Sequence, residues 1–153
     1  MDTLKPTAAA LGNLLRTNPR QAGEVLPGML WKPSALAMLP NGCGWNDGGC
    51  MILATALQLI APEGKLAAII DAQRPGVAQH VLLEISVQGQ TWYIDADGAT
   101  DEDRLLDRWR KLEALAQPQL VPFERQLLDD ETPDDPAAST NLAQHLTDTR
   151  RRT

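Results

Sequence analysis

Cys50, His80 and Asp95 are the residues of this chain whose types and order allow nucleophilic catalysis by a thiol. A thiol nucleophile requires a general base within hydrogen-bond reach, and that base requires a third group that holds its orientation. In that scheme Cys50 is the nucleophile, His80 is the general base and Asp95 is the carboxylate that orients the imidazole. Together they predict acyl transfer at a carbonyl, provided that the fold brings them to one place.

Cys50 lies at the boundary between a glycine-rich segment and an apolar segment. Residues 40–50, PNGCGWNDGGC, contain four glycines, which predicts a loop whose backbone can approach a substrate closely. The following MILATALQLIA predicts a buried helix that begins at or near Cys50 and ends before Pro62. The free N–H groups and the positive dipole end of that helix would stabilise a thiolate.

The same loop offers donors for the oxyanion that forms when a thiolate attacks a carbonyl. We assign this role to the backbone amides of Gly49 and Cys50, together with the side-chain amide of Asn46. Trp45 either lines a substrate groove, which is the role we predict for it, or fills the core. Cys43 is interpreted as a bystander or as a resolving thiol.

His80 and Asp95 belong to two segments, HVLLEISV (80–87) and QTWYIDAD (90–97), which flank a turn signal at Gly89. Their β-branched and aromatic residues predict the two strands of an antiparallel hairpin. A turn centred at Gly89 places Asp95 opposite about position 82, so His80 lies one diagonal step away on the same face. The predicted hairpin therefore brings the imidazole within reach of the carboxylate.

Asp97 is the alternative to Asp95 as the orienting carboxylate, because residues two apart on a strand share a face. The dipeptide Asp97-Gly98 also has the pattern of an ordinary turn. We therefore prefer Asp95 for the role.

The remaining segments predict helices packed on a small sheet, and thus an α+β fold. They comprise a helix at 7–17 that ends before Pro19, a short helix at 33–39, a strand at 65–72, an amphipathic helix at 101–116 and a strand at 119–123. From Glu124 the composition is polar and includes the acidic run DDETPDD, which predicts a flexible tail. We expect one catalytic domain at 1–123, with its core at 40–123, and a tail at 124–153.

Charge and composition exclude several classes of function. The chain carries 14 Lys and Arg against 20 Asp and Glu, a formal net charge of −6, without a basic stripe, so we expect no nucleic-acid partner. No stretch reaches the ~18 apolar residues of a membrane span and no export signal is recognisable, so we expect no membrane partner and a cytoplasmic location. Two cysteines and two histidines are too few for a typical structural zinc site.

The segment DGGCMILATALQLIAPEGKLAAII, followed by QHVLLEISVQGQTWYIDADG, resembles the core of the transglutaminase-like and papain-like cysteine enzymes. In those families a glycine-flanked Cys begins a buried helix, and a His at a strand start is followed by an Asp on the next strand. The resemblance covers about residues 44–98 and implies a papain-like fold, with the nucleophile on a central helix packed against a small antiparallel sheet. It implies Cys50, His80 and Asp95 as the triad, although Gly44 stands where papain-type proteases carry a Gln that donates to the oxyanion.

The resemblance further implies acyl transfer at an amide or isopeptide bond of a protein or peptide substrate, without a cofactor. Water as the second nucleophile gives a peptidase or a glutamine deamidase, whereas an amine gives a transglutaminase, and the sequence leaves these three outcomes open. A bacterial or phage enzyme is expected from the small size. The alternative is a catalytically silent papain-like protein-interaction module, and the oligomeric state is left open.

Overall fold

A five-stranded antiparallel sheet with helices on both faces forms the centre of the fold. The computed structural model describes residues 8–40, 42–46, 48–130 and 132–147. Within these ranges the sheet has the order β4-β3-β2-β1-β5, with β1 at Lys65–Asp71, β2 at Arg74–Val87, β3 at Gln90–Asp95, β4 at Gly98–Thr100 and β5 at Pro118–Pro122. The helices are α1 (Ala8–Thr17), α2 (Pro19–Leu30), α3 (Pro33–Leu36), α4 (Cys50–Ile60), α5 (Glu102–Leu112) and α6 (Pro136–Thr147), with a 3₁₀ turn at Arg125–Leu127. In this described part, no helix has the length and apolar character needed to cross a bilayer.

Alternation along β2 separates two hydrophobic layers. Leu83 packs with α4 and with α1, α2 and α6 on one face of the sheet, whereas Leu82 packs with Trp109 of α5 on the other face. His80 precedes Leu82 by two residues and contacts Trp109, so it belongs to the α5 face. Cys50 begins α4 on the opposite face. The predicted catalytic residues therefore come from elements on both faces of the sheet.

The hairpin predicted for the His80 and Asp95 segments is confirmed, and so is its register. Gln88 and Gly89 both have positive φ, +54° and +80°, as a two-residue type I′ turn requires. The pairing runs outward from this turn and joins Leu83 to Ile94. Continued by one step, it places Asp95 opposite position 82, as expected.

Several elements differ from the predictions. Strand β2 begins at Arg74 rather than at His80, so His80 lies inside the strand and not at its start. Pro19 does not close the first helical region but begins α2, where Asn18 Oδ1 accepts a hydrogen bond from the Gln21 amide. Proline is favoured there because the first amides of a helix have no intrahelical acceptor. Gly98–Thr100 forms a short strand beside β3 rather than only a turn. Finally, α5 ends at Leu112, before Ala114 takes a left-handed conformation with φ +57°.

The prediction of a flexible tail is wrong for residues 136–147. Helix α6 packs against α4 and α1, and Leu142 and Leu146 are fully buried in the main hydrophobic cluster. The Ser139 hydroxyl also donates to the carbonyl oxygen of Ile52 at 3.1 Å. A few apolar side chains three and four residues apart suffice to bury one helix face, even in a segment whose overall composition is polar. The folded domain therefore extends through Thr147, and the basic end at 150–152 lies outside the described residues.

Candidate active site

A cavity of about 350 Å³ lies where the start of α4 meets the first half of β2. Cys50 and His80 both line it, and Asp95 contacts His80 from a buried position that is not part of the lining. The other walls come from the loop before α4, the start of β2, the end of α5 with its following loop, and the segment between β5 and α6. Their lining residues are Asn46, Gly48, Arg74, Val77, Ala78, Gln79, Val81, Trp109, Glu113, Leu115, Leu128, Asp129 and Thr132.

Cys50 is the first residue of α4, as the sequence predicts, and 7% of its surface is exposed. It packs in a small apolar cluster with Met51, Ala54 and Val81. Gly49 is the N-cap and offers no side-chain acceptor to the first turn of the helix. The amides of that turn therefore remain directed at whatever occupies the space beyond the helix end. An anionic sulfur at Cys50 is stabilised by these amides and by the helix dipole.

The imidazole of His80 is buried and forms a hydrogen bond with Asp95. His80 Nε2 lies 2.9 Å from Asp95 Oδ2, and the His80 side chain has no exposed surface. His80 Nδ1 is also buried and has no hydrogen-bond partner among the described residues. Because Asp95 engages one ring nitrogen, Nδ1 is the nitrogen available for the thiol and for a substrate.

An irregularity in the sheet precedes His80. His80 pairs with Ile69 of β1, but the next pair joins Ala78 to Ile70, so Gln79 is an extra residue on β2. Such a bulge re-aims the neighbouring side chains of the strand. The consecutive residues 77–81 all line the cavity, so the cavity reaches both faces of β2 at this point.

Asp95 accepts hydrogen bonds from three directions. Besides His80, Arg108 Nη2 lies 3.2 Å from Asp95 Oδ2, and the backbone amide of Asp97 donates to Oδ1 at 2.9 Å. Burial raises the pKa of Asp95, but the hydrogen bond and charge of His80, the charge of Arg108 and the Asp97 amide outweigh burial and lower it below its ordinary value. Asp95 is therefore an anion at neutral pH.

The protonated form of His80 is favoured by its surroundings. Burial lowers the pKa of His80, but the hydrogen bond to Asp95, the neighbouring Cys50 side chain and the negative charges of both raise it to about 9. The ring of Trp109 also stacks on the imidazole, with the centroids 4.6 Å apart and the planes at 28°. An aromatic face attracts a cation, so this contact adds to the preference for imidazolium. At neutral pH the site therefore holds a cation beside the Cys50 sulfur.

Asn46 links the loop before α4 to the base. Its Nδ2 donates to Asp97 Oδ2 at 2.9 Å, and Arg108 Nη2 lies 3.8 Å from the same carboxylate oxygen. Arg108 thus bridges Asp95 and Asp97, and Asn46 completes the connection. The rival carboxylate of the sequence analysis, Asp97, binds the loop rather than the imidazole.

Two predicted roles are contradicted by the structure. The Gly49 amide donates to the carbonyl oxygen of Gly44 at 2.9 Å, so it is not available to an oxyanion. Trp45 is fully buried in the main cluster, where its Nε1 donates to the Leu30 carbonyl oxygen at 2.9 Å, so it belongs to the core and not to a substrate groove. A buried indole requires such an acceptor, and the backbone provides it. Asn46 does line the cavity, and one of the two N–H groups of its Nδ2 donates to Asp97.

Sequence reasoning missed Arg108, Trp109 and Gln79. The sequence identifies Trp109 only as one apolar position of an amphipathic helix. The 3.6-residue periodicity of that helix does not show which face of the sheet the helix covers. Arg108 precedes Trp109 on that helix, and its guanidinium reaches Asp95 where Trp109 stacks on His80. No local sequence pattern predicts the bulge at Gln79. The one available signal is a polar residue directly before the predicted base.

Comparisons with known proteins identify no relative of this chain. No protein-family model, no curated protein and no solved structure matches the chain.

Proposed function

We propose that this chain is a cysteine-dependent acyl-transfer enzyme of papain-like fold, which acts on an amide or isopeptide bond through Cys50, His80 and Asp95. The observation that carries the proposal is the buried His80–Asp95 pair, with the second imidazole nitrogen unpartnered beside a helix-start cysteine in one cavity. A structural histidine normally has both ring nitrogens satisfied when it is buried. An unpartnered Nδ1 in a cavity is the arrangement that a proton-transfer group needs.

In the first half of the reaction, the Cys50 thiolate attacks the carbonyl carbon of the substrate. A C–S bond forms and the carbonyl oxygen becomes an oxyanion, which backbone and side-chain donors stabilise. The oxyanion then collapses, the C–N bond breaks, and the leaving amine takes the proton from His80 Nδ1. The products of this half are a thioester on Cys50, a free amine or ammonia, and a neutral imidazole.

In the second half, neutral His80 acts as the general base. Its Nδ1 takes a proton from water or from an acceptor amine, which attacks the thioester carbon. The C–S bond breaks, the acyl product leaves, and the thiolate and imidazolium are restored. Asp95 holds the imidazole through Nε2 in both halves, so that Nδ1 stays directed at the reacting atoms. The cycle balances with these residues alone and uses no cofactor.

The cavity supports a small acyl donor. A volume of about 350 Å³ lies near the lower end of the ~300–1,000 Å³ that is usual for ligand pockets. One glutamine side chain or a short chain end fits such a space, whereas a long extended peptide does not. The carboxamide of Gln79 and the charges of Arg74 and Glu113 make the walls polar. A side-chain amide, handled by a deamidase or a transglutaminase, or the end of a chain, cleaved by a peptidase, suits these features.

Iodoacetamide labelling, with the modified cysteine located by mass spectrometry, tests the proposal. Cys43 is an internal control, because both cysteines are free thiols and Cys43 is the less buried of the two. Exposure alone therefore predicts faster labelling of Cys43. An activated thiolate predicts the reverse, with Cys50 labelled at least tenfold faster at pH 7 and the excess lost in His80→Ala.

A second variant, His80→Asn, keeps a polar side chain in the buried position in case the alanine variant does not fold. Equal labelling of both cysteines in the wild type, or a Cys50 rate indifferent to both His80 variants, would contradict the proposal. That result would favour the catalytically silent interaction module. Ammonia release from glutamine peptides, with and without an added amine, then separates deamidation, transglutamination and peptide cleavage.

A further inference from the structure

We infer that Gln79 is a further catalytic residue, whose side-chain N–H donates to the oxyanion together with the backbone N–H of Cys50. The inference rests on the proposed function and adds a residue to it. It follows from an inventory of the hydrogen-bond donors around Cys50, combined with the bulge in β2.

The predicted oxyanion site lacks one donor. Preorganised N–H groups that face the developing negative charge supply a large part of the catalysis in acyl transfer, and such sites commonly combine more than one donor. The Cys50 amide is available, because the first amides of a helix have no intrahelical acceptor. The Gly49 amide is not available, since it donates to Gly44. A side chain of the cavity that carries an N–H group would replace this lost donor.

Asn46 is committed elsewhere. Its Nδ2 donates to Asp97 at 2.9 Å, and Asp97 is held in turn by Arg108. Turning the Asn46 amide toward the sulfur would break this connection and leave Asp97 without that donor. Asn46 therefore fixes the loop that carries the nucleophile, and the bond to Asp97 also fixes the direction of its second N–H.

Gln79 has the properties that the missing donor requires. Gln79 is one of the residues that line the cavity shared by Cys50 and His80, it is half-buried, and its side chain forms no hydrogen bond with the described residues. It occupies the extra position of the bulge directly before the base. In a regular strand, residues 79 and 80 would point to opposite faces, and the extra residue of the bulge changes this relation between their side chains. A carboxamide NH₂ supplies two donors without a charge.

The role of Gln79 can be separated from thiolate formation by two reagents. Acylation of Cys50 by p-nitrophenyl acetate passes through an oxyanion, whereas alkylation by iodoacetamide displaces iodide at carbon and forms none. Loss of an oxyanion donor should therefore slow the first reaction and spare the second. We expect Gln79→Ala and Gln79→Met, which is similar in size to glutamine and removes the donor without adding a charge, to slow acylation at least tenfold. We expect alkylation of Cys50 to stay within twofold of the wild type.

The matched control is Gln90→Ala, which removes an exposed glutamine at the turn end of the same hairpin, away from the cavity. It should change neither rate. Unchanged acylation in both Gln79 variants would overturn the inference while selective Cys50 alkylation left the proposed function intact. Equal slowing of both reactions would also overturn it, because Gln79 would then act on the thiolate or the base. Failure of the proposed function itself is recognised separately, by non-selective alkylation in the wild type.

Discussion

The proposed base and the proposed nucleophile are held by different kinds of contact. His80 is fixed by side chains: Asp95 binds one ring nitrogen, Trp109 stacks on the ring, and Arg108 holds Asp95. Cys50 is fixed by backbone, through the helix that it begins and through the loop before it. That loop is closed by the hydrogen bond from the Gly49 amide to Gly44 and by a bridge between Gly44 and Gly48.

This difference shows which changes each half can tolerate. A base held by side chains is weakened one contact at a time, and each contact can be removed without moving the backbone. A loop held by backbone depends instead on the absence of side chains. A Cβ on Gly49 would lie 2.5 Å from Leu39 Cδ2 and 2.6 Å from the Gly44 oxygen, and real Cβ atoms essentially never approach so closely. The two halves also meet through Asn46 and Asp97, so they are not independent.

The largest effect on the acylation rate should come from replacing Asp95, the carboxylate that binds His80. Asp95→Asn removes the anion that orients the imidazole and offers Nε2 the wrong partner, so we expect acylation of Cys50 to fall by about 10³–10⁴-fold. Asp97→Asn keeps a polar group near Asn46 and leaves the His80–Asp95 pair untouched, so it should lose less than tenfold. The acylation rates of the two variants measure the difference. An equal loss in both would show that the carboxylates act as one network, and the assignment of the orienting role to Asp95 alone would be wrong.

Gly49→Ala should destabilise the loop before Cys50 by a steric clash. The added methyl group collides with Leu39 and with the Gly44 carbonyl, and overpacking of this kind typically costs about 1–3 kcal/mol of the free energy of unfolding. Gly28→Ala is the control, because no atom lies within 4 Å of its Cβ position in α2. That variant should be neutral or slightly more stable, by up to about 1 kcal/mol. Urea unfolding of both proteins tests the contrast, and equal stabilities would refute the idea that the loop depends on close backbone packing.

The hairpin and the glycine loop were predictable from the sequence because their signals are local. A two-residue turn at Gln88 and Gly89 sets the register of every later pair, so the contact between His80 and Asp95 follows from counting. The packing of α5 against His80 and Asp95 was not predictable. Amphipathic periodicity identifies a buried face, but it carries no information about the surface that the face covers, and Trp109 on His80 is a long-range contact of this kind.

The C-terminal segment is a second case in which the sequence did not predict a tertiary contact. Its acidic composition predicts solvation, whereas two or three buried leucines decide the position of α6. The bulge at Gln79 is not predictable from the sequence either, because it arises from the pairing of β2 with a neighbouring strand. In this molecule the residue types proposed for catalysis and their local geometry follow from the sequence, and tertiary packing supplies the groups that contact them.

Arg108→Gln should produce a smaller effect that depends on pH. Arg108 lowers the pKa of Asp95, so the folded protein gains stability from the ionised carboxylate at pH values above its unfolded pKa, and loses it as pH falls through the folded value. Without Arg108 the folded pKa moves upward, and we expect a loss of about 1 kcal/mol at pH 7 that shrinks below about pH 4. Arg104→Gln on the exposed side of α5 is the control and should lose less than 0.5 kcal/mol, an order-of-magnitude figure for surface pairs. Equal losses for both variants in urea unfolding at pH 7 would contradict the role of Arg108.

The smallest effect measures how strongly the nucleophile acts on the base. The pKa of His80 is raised to about 9, partly by Cys50, so Cys50→Ala should lower it toward the ordinary value of 6.5, while Asp95 still holds it above. Because the folded pKa is raised, the protonated imidazole stabilises the wild type fully below about pH 6.5, and this contribution is lost as pH rises through 9. In Cys50→Ala the loss should begin at the same pH, because the unfolded pKa is unchanged, and should end at a lower pH. NMR titration of the His80 imidazole, with the second histidine as internal reference, reads the shift directly. An unchanged His80 titration in Cys50→Ala would mean that Cys50 and His80 do not interact electrostatically. The raised pKa of His80 would then be due to Asp95 and Trp109 alone.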